Sequence, residues 1–365
     1  MSLRILAKNV KRLRTAKRLS QSALADEAGL SLPAIKSLEL EKRDPRSRTI
    51  QSIAKALDVK LHELFQPVRA LRAVRFRSAK RLRTRENVLA EVARWLDDFN
   101  FLEECLSNKI QFRLDAVGGQ HSRDRLASLA LLCRKKLGLN DKEPIYDIRG
   151  LIEHAGVKVF TISVASDGFF GLSVGQEDGG PAVVVNVWER VSVERRVFSA
   201  ARELGHLLLH PEAFDVAKDG ENKVEEKEAD CFAGHFLMPN DGFRQEWEKA
   251  KGLGFVDRVF KIKRIFRVSY KTVLSRLLEE RFADKFIWLK FNIAYQRRFN
   301  RNLSLNEEPT RLDAVEPYGT LRFDFYEDRF KRLTREAVEK DKISLSRGAE
   351  MLRIGLEEMR ELFQN

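Results

Sequence analysis

The residues with the most chemistry to offer stand together on one predicted helix, Arg202-Glu203-Leu204-Gly205-His206. Residues four apart on a helix share a face. Two imidazoles at such positions can grip a zinc ion, and a glutamate directly after the first can activate the water bound to it. Here the glutamate and the second imidazole are present, and position 202 is arginine. A guanidinium is cationic at any pH of interest and has no lone pair for a metal. A second predicted helix carries Glu226-Lys227-Glu228-Ala229-Asp230-Cys231. Glu226 and Asp230 lie one turn apart on it, which suits a carboxylate ligand and an outer acceptor that orients a ligating histidine. His210 follows His206 by four residues, on the side away from Arg202, so its ring is expected one turn past the site. Cys231 reads as a small buried hydrophobe.

The elements that must position these groups fall in residues 122–240. Helices are expected at about Arg123–Leu137 and Ile145–Ala155, and strands at Lys158–Ser163, Phe169–Ser173 and Pro181–Val187. A long helix from Val191 to Leu209 follows, then one from Val224 to Leu237 that ends at Met238-Pro239. With Gly171-Leu172-Ser173, the strand Val183–Val187 and the run Arg195-Arg196-Val197-Phe198, this stretch resembles the ImmA/IrrE metallopeptidase family over about 120 residues. The resemblance implies a zincin-like domain and zinc-dependent cleavage of a partner, commonly a DNA-bound repressor. Under it, His206 and Glu226 match metal ligands, Glu203 matches the general base, and Arg202 falls where the first ligand should be. The expectation is a degenerate site: Glu203 a relic base, His206 and Glu226 relic ligands holding no metal, and Asp230 behind them. Two buried carboxylates without a cation are costly. Arg202 is therefore expected near the vacated metal position, paired with Glu226 in a two-pronged geometry. No cofactor is expected, and zinc only if the site is functional.

Residues 4–65 read as five short helices. Leu6, Val10 and Leu13 form an inward stripe on the first. Ser20 caps the second, which ends at Gly29, where a left-handed residue is wanted. Ser31 caps a third helix with Pro33 in its first turn and Ile35 and Leu38 facing inward. Helices at about Thr49 to Leu57 and Leu61 to Phe65 complete the bundle. Two helices joined by a tight glycine turn inside such a bundle make a helix-turn-helix. The residues Ser20-Gln21-Ser22-Ala23-Leu24-Ala25, Gly29-Leu30-Ser31, Ile35, Glu39 and Ile53-Ala54-Lys55-Ala56-Leu57 resemble the XRE/Cro-repressor family. That resemblance implies reading of the DNA major groove by the third helix. Candidate contacts are Leu32, Pro33, Lys36 and Ser37 toward bases, Ser31 at the helix start, and Gln21, Lys36, Lys42 and Arg43 toward phosphates. Leu32 and Pro33 are apolar, so thymine-methyl contact and shape readout must carry more than bidentate hydrogen bonds.

Charge supports a polyanion partner. The chain of 365 residues has a net charge of +13, and residues 1–86 hold 22 Lys+Arg against 8 Asp+Glu, while the remainder holds 45 against 46. A localised excess of this kind is the footprint of nucleic-acid binding. Eight basic residues from Arg69 to Arg85 are read either as an arm on DNA phosphates or as a linker whose apolar residues tuck onto the next domain. Alternation at Val74-Arg75-Phe76-Arg77 suits an edge strand. Hydrophobic content of 43% fits a globular protein, and three scattered cysteines fit reduced thiols rather than a disulfide framework.

The expected fold is a multidomain, mainly α protein with a small central β-sheet. Its parts are a helix-turn-helix domain at 1–66, a basic linker and helical connector at 67–119, the degenerate peptidase-like domain at 120–240, and a helical region at 241–365. In the last, Tyr318–Tyr326 reads as a strand, and Ile343-Ser344-Leu345-Ser346 with Ala349-Glu350-Met351-Leu352 resembles a helix-turn-helix in outline. Helical packing or dimerisation is the preferred reading of that passage. The expected partners are double-stranded DNA, a second copy of the chain, and a protein or small-molecule ligand in the peptidase-like cleft. No membrane partner is expected, and the cytoplasm is the expected location. The rival readings are a working zinc endopeptidase that cleaves a repressor or itself, and a prophage or toxin–antitoxin regulator.

Overall fold

The computed structural model describes residues 3–17, 19–65, 67, 69–76, 84–114, 122–216, 222–303 and 329–364. The chain forms two compact units. One comprises residues 1–71 and 81–97, the other residues 72–80 and 98–365.

The first unit opens with α1 (Leu3–Ala16), α2 (Gln21–Ala28), α3 (Leu32–Glu39) and α4 (Ser47–Ala56). Each start and stop has a local cause. The Ser20 hydroxyl accepts from Ala23 N at 2.9 Å and the Ser31 hydroxyl from Ala34 N at 3.4 Å, so an orphan donor of each helix is met. Gly29 closes α2 at φ 63°, a conformation that strains any residue with a Cβ. Leu6, Val10, Leu24, Ile35, Leu38, Ile53, Leu57 and Leu64 form the core. The fifth expected helix is a single 3₁₀ turn, Leu61–Leu64, whose Leu64 carbonyl accepts from the buried Asn9 amide at 3.0 Å. The amphipathic helix α5 (Arg85–Cys105) runs from the first unit into the second, so the expected connector is shared between them.

The second unit is built on a four-stranded sheet ordered β1-β3-β4-β2, from β1 (Val74–Phe76), β2 (Lys158–Ile162), β3 (Gly171–Val174) and β4 (Ala182–Asn186). β2 runs parallel to β4, while β1 and β4 each run antiparallel to β3. Ahead of β2 come α6 (Arg123–Lys136) and α7 (Ile148–His154); after β4 come α8 (Val193–Leu209) and α9 (Lys223–Leu237). Gly205 lets α8 and α9 approach closely, since a Cβ there would stand 2.9 Å from the Phe232 ring. Four further helices, α10 (Asn240–Lys249), α11 (Phe255–Phe266), α12 (Tyr270–Glu279) and α13 (Ile287–Phe299), follow. Buried residues of α11, α12 and α13 share one hydrophobic cluster with those of α6 to α9 and the sheet. The expected strand Tyr318–Tyr326 lies outside the described residues.

The chain ends in α14 (Arg329–Glu339), α15 (Leu345–Leu352) and α16 (Leu356–Glu361). Arg329 and Lys158 both pair with the buried Glu103 of α5, at 2.6 and 3.2 Å. The turn between α15 and α16 repeats the α2–α3 turn. Ser344 caps α15 as Ser20 caps α2, and Arg353 is left-handed at φ 58°, nine residues on, as Gly29 is. Ile354 N donates to Ala349 O as Leu30 N donates to Ala25 O. The helix-turn-helix outline at 343–352 is thus a genuine structural repeat. Its second helix carries Glu357, Glu358 and Glu361 against Arg360, whereas α3 balances Lys36 with Glu39.

Candidate functional site

α8 and α9 bring Arg202, Glu203, His206 and Glu226 together. Glu203, 1% exposed, lies against β3, where Ser173 Oγ donates to its Oε2 at 3.0 Å. Gly171 makes room for it: a Cβ there would sit 3.4 Å from Glu203 Cγ and 2.7 Å from the Val184 carbonyl. Arg202 reaches both acids, with Nη2 3.2 Å from Glu203 Oε1 and Nη1 3.4 Å from Glu226 Oε2. The expected two-pronged pairing with Glu226 is therefore divided between two carboxylates. His206, fully buried, points Nε2 at Glu226 Oε1, 3.2 Å away.

A second cation completes the cluster. Arg75 of β1, 2% exposed, contacts Glu225 and stands 3.6 Å from Glu226 Oε1. Its Cα partner in the β1–β3 ladder is Ser173, the residue that holds Glu203. Of the two readings of residues 69–85, the tucked linker with an edge strand holds at Arg75, and the DNA arm does not. Arg75 is interior, and Leu71, Val74 and Phe76 are buried with it. Arg69 pairs with Asp97 at 2.9 Å, and Arg77, Lys80, Arg81 and Arg83 lie outside the described residues. The edge-strand pattern is the usable signal; the surrounding run of charge obscures it.

His206 is oriented from behind by His210, not by Asp230. Their Nδ1 atoms are 3.0 Å apart, and His210 Nε2 lies 2.9 Å from Glu228 Oε2. If His210 Nε2–H donates to that carboxylate, a neutral His210 accepts at Nδ1 from His206 Nδ1–H. The His206 Nε2 lone pair then faces Glu226. Burial, followed by the charges of Arg75, Arg202 and His210, holds the His206 imidazole well below its ordinary pKa. Burial also lowers His210, against the pull of Glu228. Asp230, expected to orient a ligating histidine, is exposed and has no hydrogen bond to one among the described contacts. Cys231 is half-buried. His206 and Glu226 bring two ligands, whereas zinc takes three or four from a protein. Among the described residues no group of three or more His, Cys, Asp or Glu side chains converges as metal ligands would.

A groove of about 1420 Å³ runs beside this cluster, lined by Arg195, Glu228, Asp230, Cys231, Lys271 and Arg276 among others. Arg202, Glu203, His206 and Glu226 are not in its wall.

In the first unit, the expected DNA contacts divide. Ser31, Pro33, Lys36, Lys42 and Arg43 are exposed, and Ser37 is half-buried. Leu32 is half-buried and packs on the bundle core, which corrects its assignment as an outward base contact. Gln21 donates to Glu39 Oε2 at 2.7 Å, and Glu39 is clasped by Arg14 Nε at 2.6 Å and Nη2 at 3.0 Å. This Arg14–Glu39–Gln21 bridge locks α1, α2 and α3 together. The expectation that Gln21 clasps a phosphate gives way to this structural role for its amide nitrogen.

Two family matches fall on these two sites. Residues 10–64 match the helix-turn-helix family, and residues 152–278 match the IrrE N-terminal-like domain. The uncharacterized HTH-type transcriptional regulator YqaE of Bacillus subtilis (strain 168) is 36% identical over 62 residues, which cover 17% of this chain and 53% of that protein. The chain thus spans about half the length of the curated relative it matches. No helix among the described residues is long and apolar enough to cross a membrane.

Proposed function

We propose that this protein is a DNA-binding transcriptional regulator whose IrrE-like domain does not hydrolyse peptides and acts as a sensor or protein-binding module. The observation that carries this reading is the guanidinium of Arg202 between Glu203 and Glu226, at 3.2 and 3.4 Å. In a zinc hydrolase those two carboxylates would serve a metal and its water. Here Arg202 and Arg75 supply the positive charge, and position 202 offers no ligand. The donor set does not fit zinc, so no hydrolytic step runs through it.

DNA binding rests on the basic first unit and its exposed α3. In this reading Lys36, Lys42 and Arg43 neutralise phosphates, and the N-terminus of α3 enters the major groove. A dimer reading paired half-sites, and action in the cytoplasm beside chromosomal DNA, follow from the same reading. A DNA fragment selected from random sequence should bind equally well with and without a chelator. Loss of binding on chelation would overturn the proposal.

One observation favours the rival, a working zinc peptidase. His206 Nε2 has no hydrogen-bond partner among the described residues and is buried beside a carboxylate. Chelator-sensitive cleavage of a repressor or of the chain itself would establish that rival.

A further inference from the structure

The strand β1 is an unusual piece of chain. Residues on both sides of it belong to the first unit, yet Val74–Phe76 is part of the second unit's sheet. Without β1, the edge of that sheet would be β3, the strand that holds Glu203 through Ser173. An exposed edge beside a peptidase-like cluster is where an extended peptide adds by backbone pairing, with side-chain pockets setting specificity. β1 occupies that lane for three residues, in antiparallel register Val74↔Val174, Arg75↔Ser173 and Phe76↔Leu172. Flanking hydrogen bonds extend the hold: Gly175 N donates to Ala73 O at 2.8 Å, and Val216 N donates to Arg72 O at 2.8 Å.

The side chains supply the specificity. Arg75 enters an acidic pocket made by Glu225 and Glu226, with Glu203 also attracting it and Arg202 opposing. Phe76 stacks on Phe169 with ring centroids 5.2 Å apart. The fit is incomplete, because Arg75 Nε and Nη1 are buried without hydrogen-bond partners among the described residues. A buried cation satisfied on one side only is held less firmly than its burial suggests.

We infer that the β3 edge is a peptide-binding site for an extended segment bearing an arginine opposite Ser173, and that residues 72–76 are its built-in occupant. This rests on the reading of the domain as a binding module. A partner peptide with an arginine in that register would exchange with β1.

The test uses the full-length chain and two fluorescent peptides. One copies residues 70–78, and the other has alanine in place of the central arginine. The Arg75→Ala variant should bind the arginine peptide about tenfold or more tightly than the alanine peptide. Wild-type chain should bind the arginine peptide more weakly than the variant does, because β1 competes. Equal binding of both peptides by the variant, or binding of neither, overturns the proposal. Hydrogen exchange on the wild type covers the case in which the variant fails to fold. Amides at 74–76 should exchange faster than those at 182–186, and added arginine peptide should protect amides at 171–174. Exchange at 74–76 as slow as at 182–186 would show a permanent strand and contradict the proposal. Zinc content and peptide cleavage are measured on the same samples. One zinc per chain with cleavage would defeat the non-hydrolytic reading while leaving arginine-dependent binding intact.

Discussion

The replacement of a ligand by a guanidinium is a change of a few atoms with a large electrostatic consequence. Arg202 is 14% exposed and Glu203 1% exposed. Removing the cation leaves Glu203 and Glu226 facing each other, with Arg75 alone as counter-ion. Arg202→Ala should therefore destabilise the second unit by about 3–5 kcal/mol, as breaking a buried ion pair does. Chemical denaturation followed by tryptophan fluorescence measures this, and an unchanged midpoint would sink the pairing. His235 gives the clearest pH effect. Burial first, then Arg276, pushes its pKa down to about 4. The unfolded chain, with an ordinary value of 6.5, takes up the proton first as pH falls. Stability is thus full above about 6.5 and declines toward about 4, at about 1.4 kcal/mol per pH unit for this group. His235→Asn should flatten that slope, read from melts at pH 7 and pH 5. Arg202, Glu203, His206 and Glu226 can be named from the sequence, because helical spacing puts them on facing stripes. Arg75 and Ser173 cannot, since they meet Glu203 through a strand pairing that joins distant parts of the chain.

At the scale of elements, caps and periodicity carry most of the information. Ser20, Gly29 and Ser31 mark the ends of α2 and α3 by residue type alone, because each supplies a hydrogen bond or a left-handed φ that other residues supply poorly. The same chemistry recurs at Ser344 and Arg353. There an arginine takes the left-handed position, which weakens the signal. Leu32 is misread as outward because it opens α3 just after the turn. The first turn of a helix can face inward when the preceding loop is tight. Of the exposed α3 residues, Lys36 is the best candidate for a phosphate. Lys36→Ala should weaken DNA binding across all sequences and reduce the slope of log affinity against log salt by about 0.9. An unchanged slope, measured by anisotropy between low and moderate salt, would remove Lys36 from the interface.

For the whole molecule, the segregation of charge marks the division of labour. The basic excess is confined to residues 1–86, and the rest of the chain is nearly neutral. What composition does not convey is that residues 72–80 belong to the second unit while 1–71 and 81–97 form the first, or that the C-terminal helices anchor on Glu103 of α5 through Arg329. Both depend on long-range contacts that leave no periodic trace in sequence. Metal content of the purified wild-type chain, after zinc loading and gel filtration, tests the central claim most directly. Guanidinium occupation of the cluster predicts well under one zinc per chain, with DNA affinity indifferent to the metal. One tightly held zinc per chain, lost when His206 or Glu226 is replaced by alanine, would contradict it.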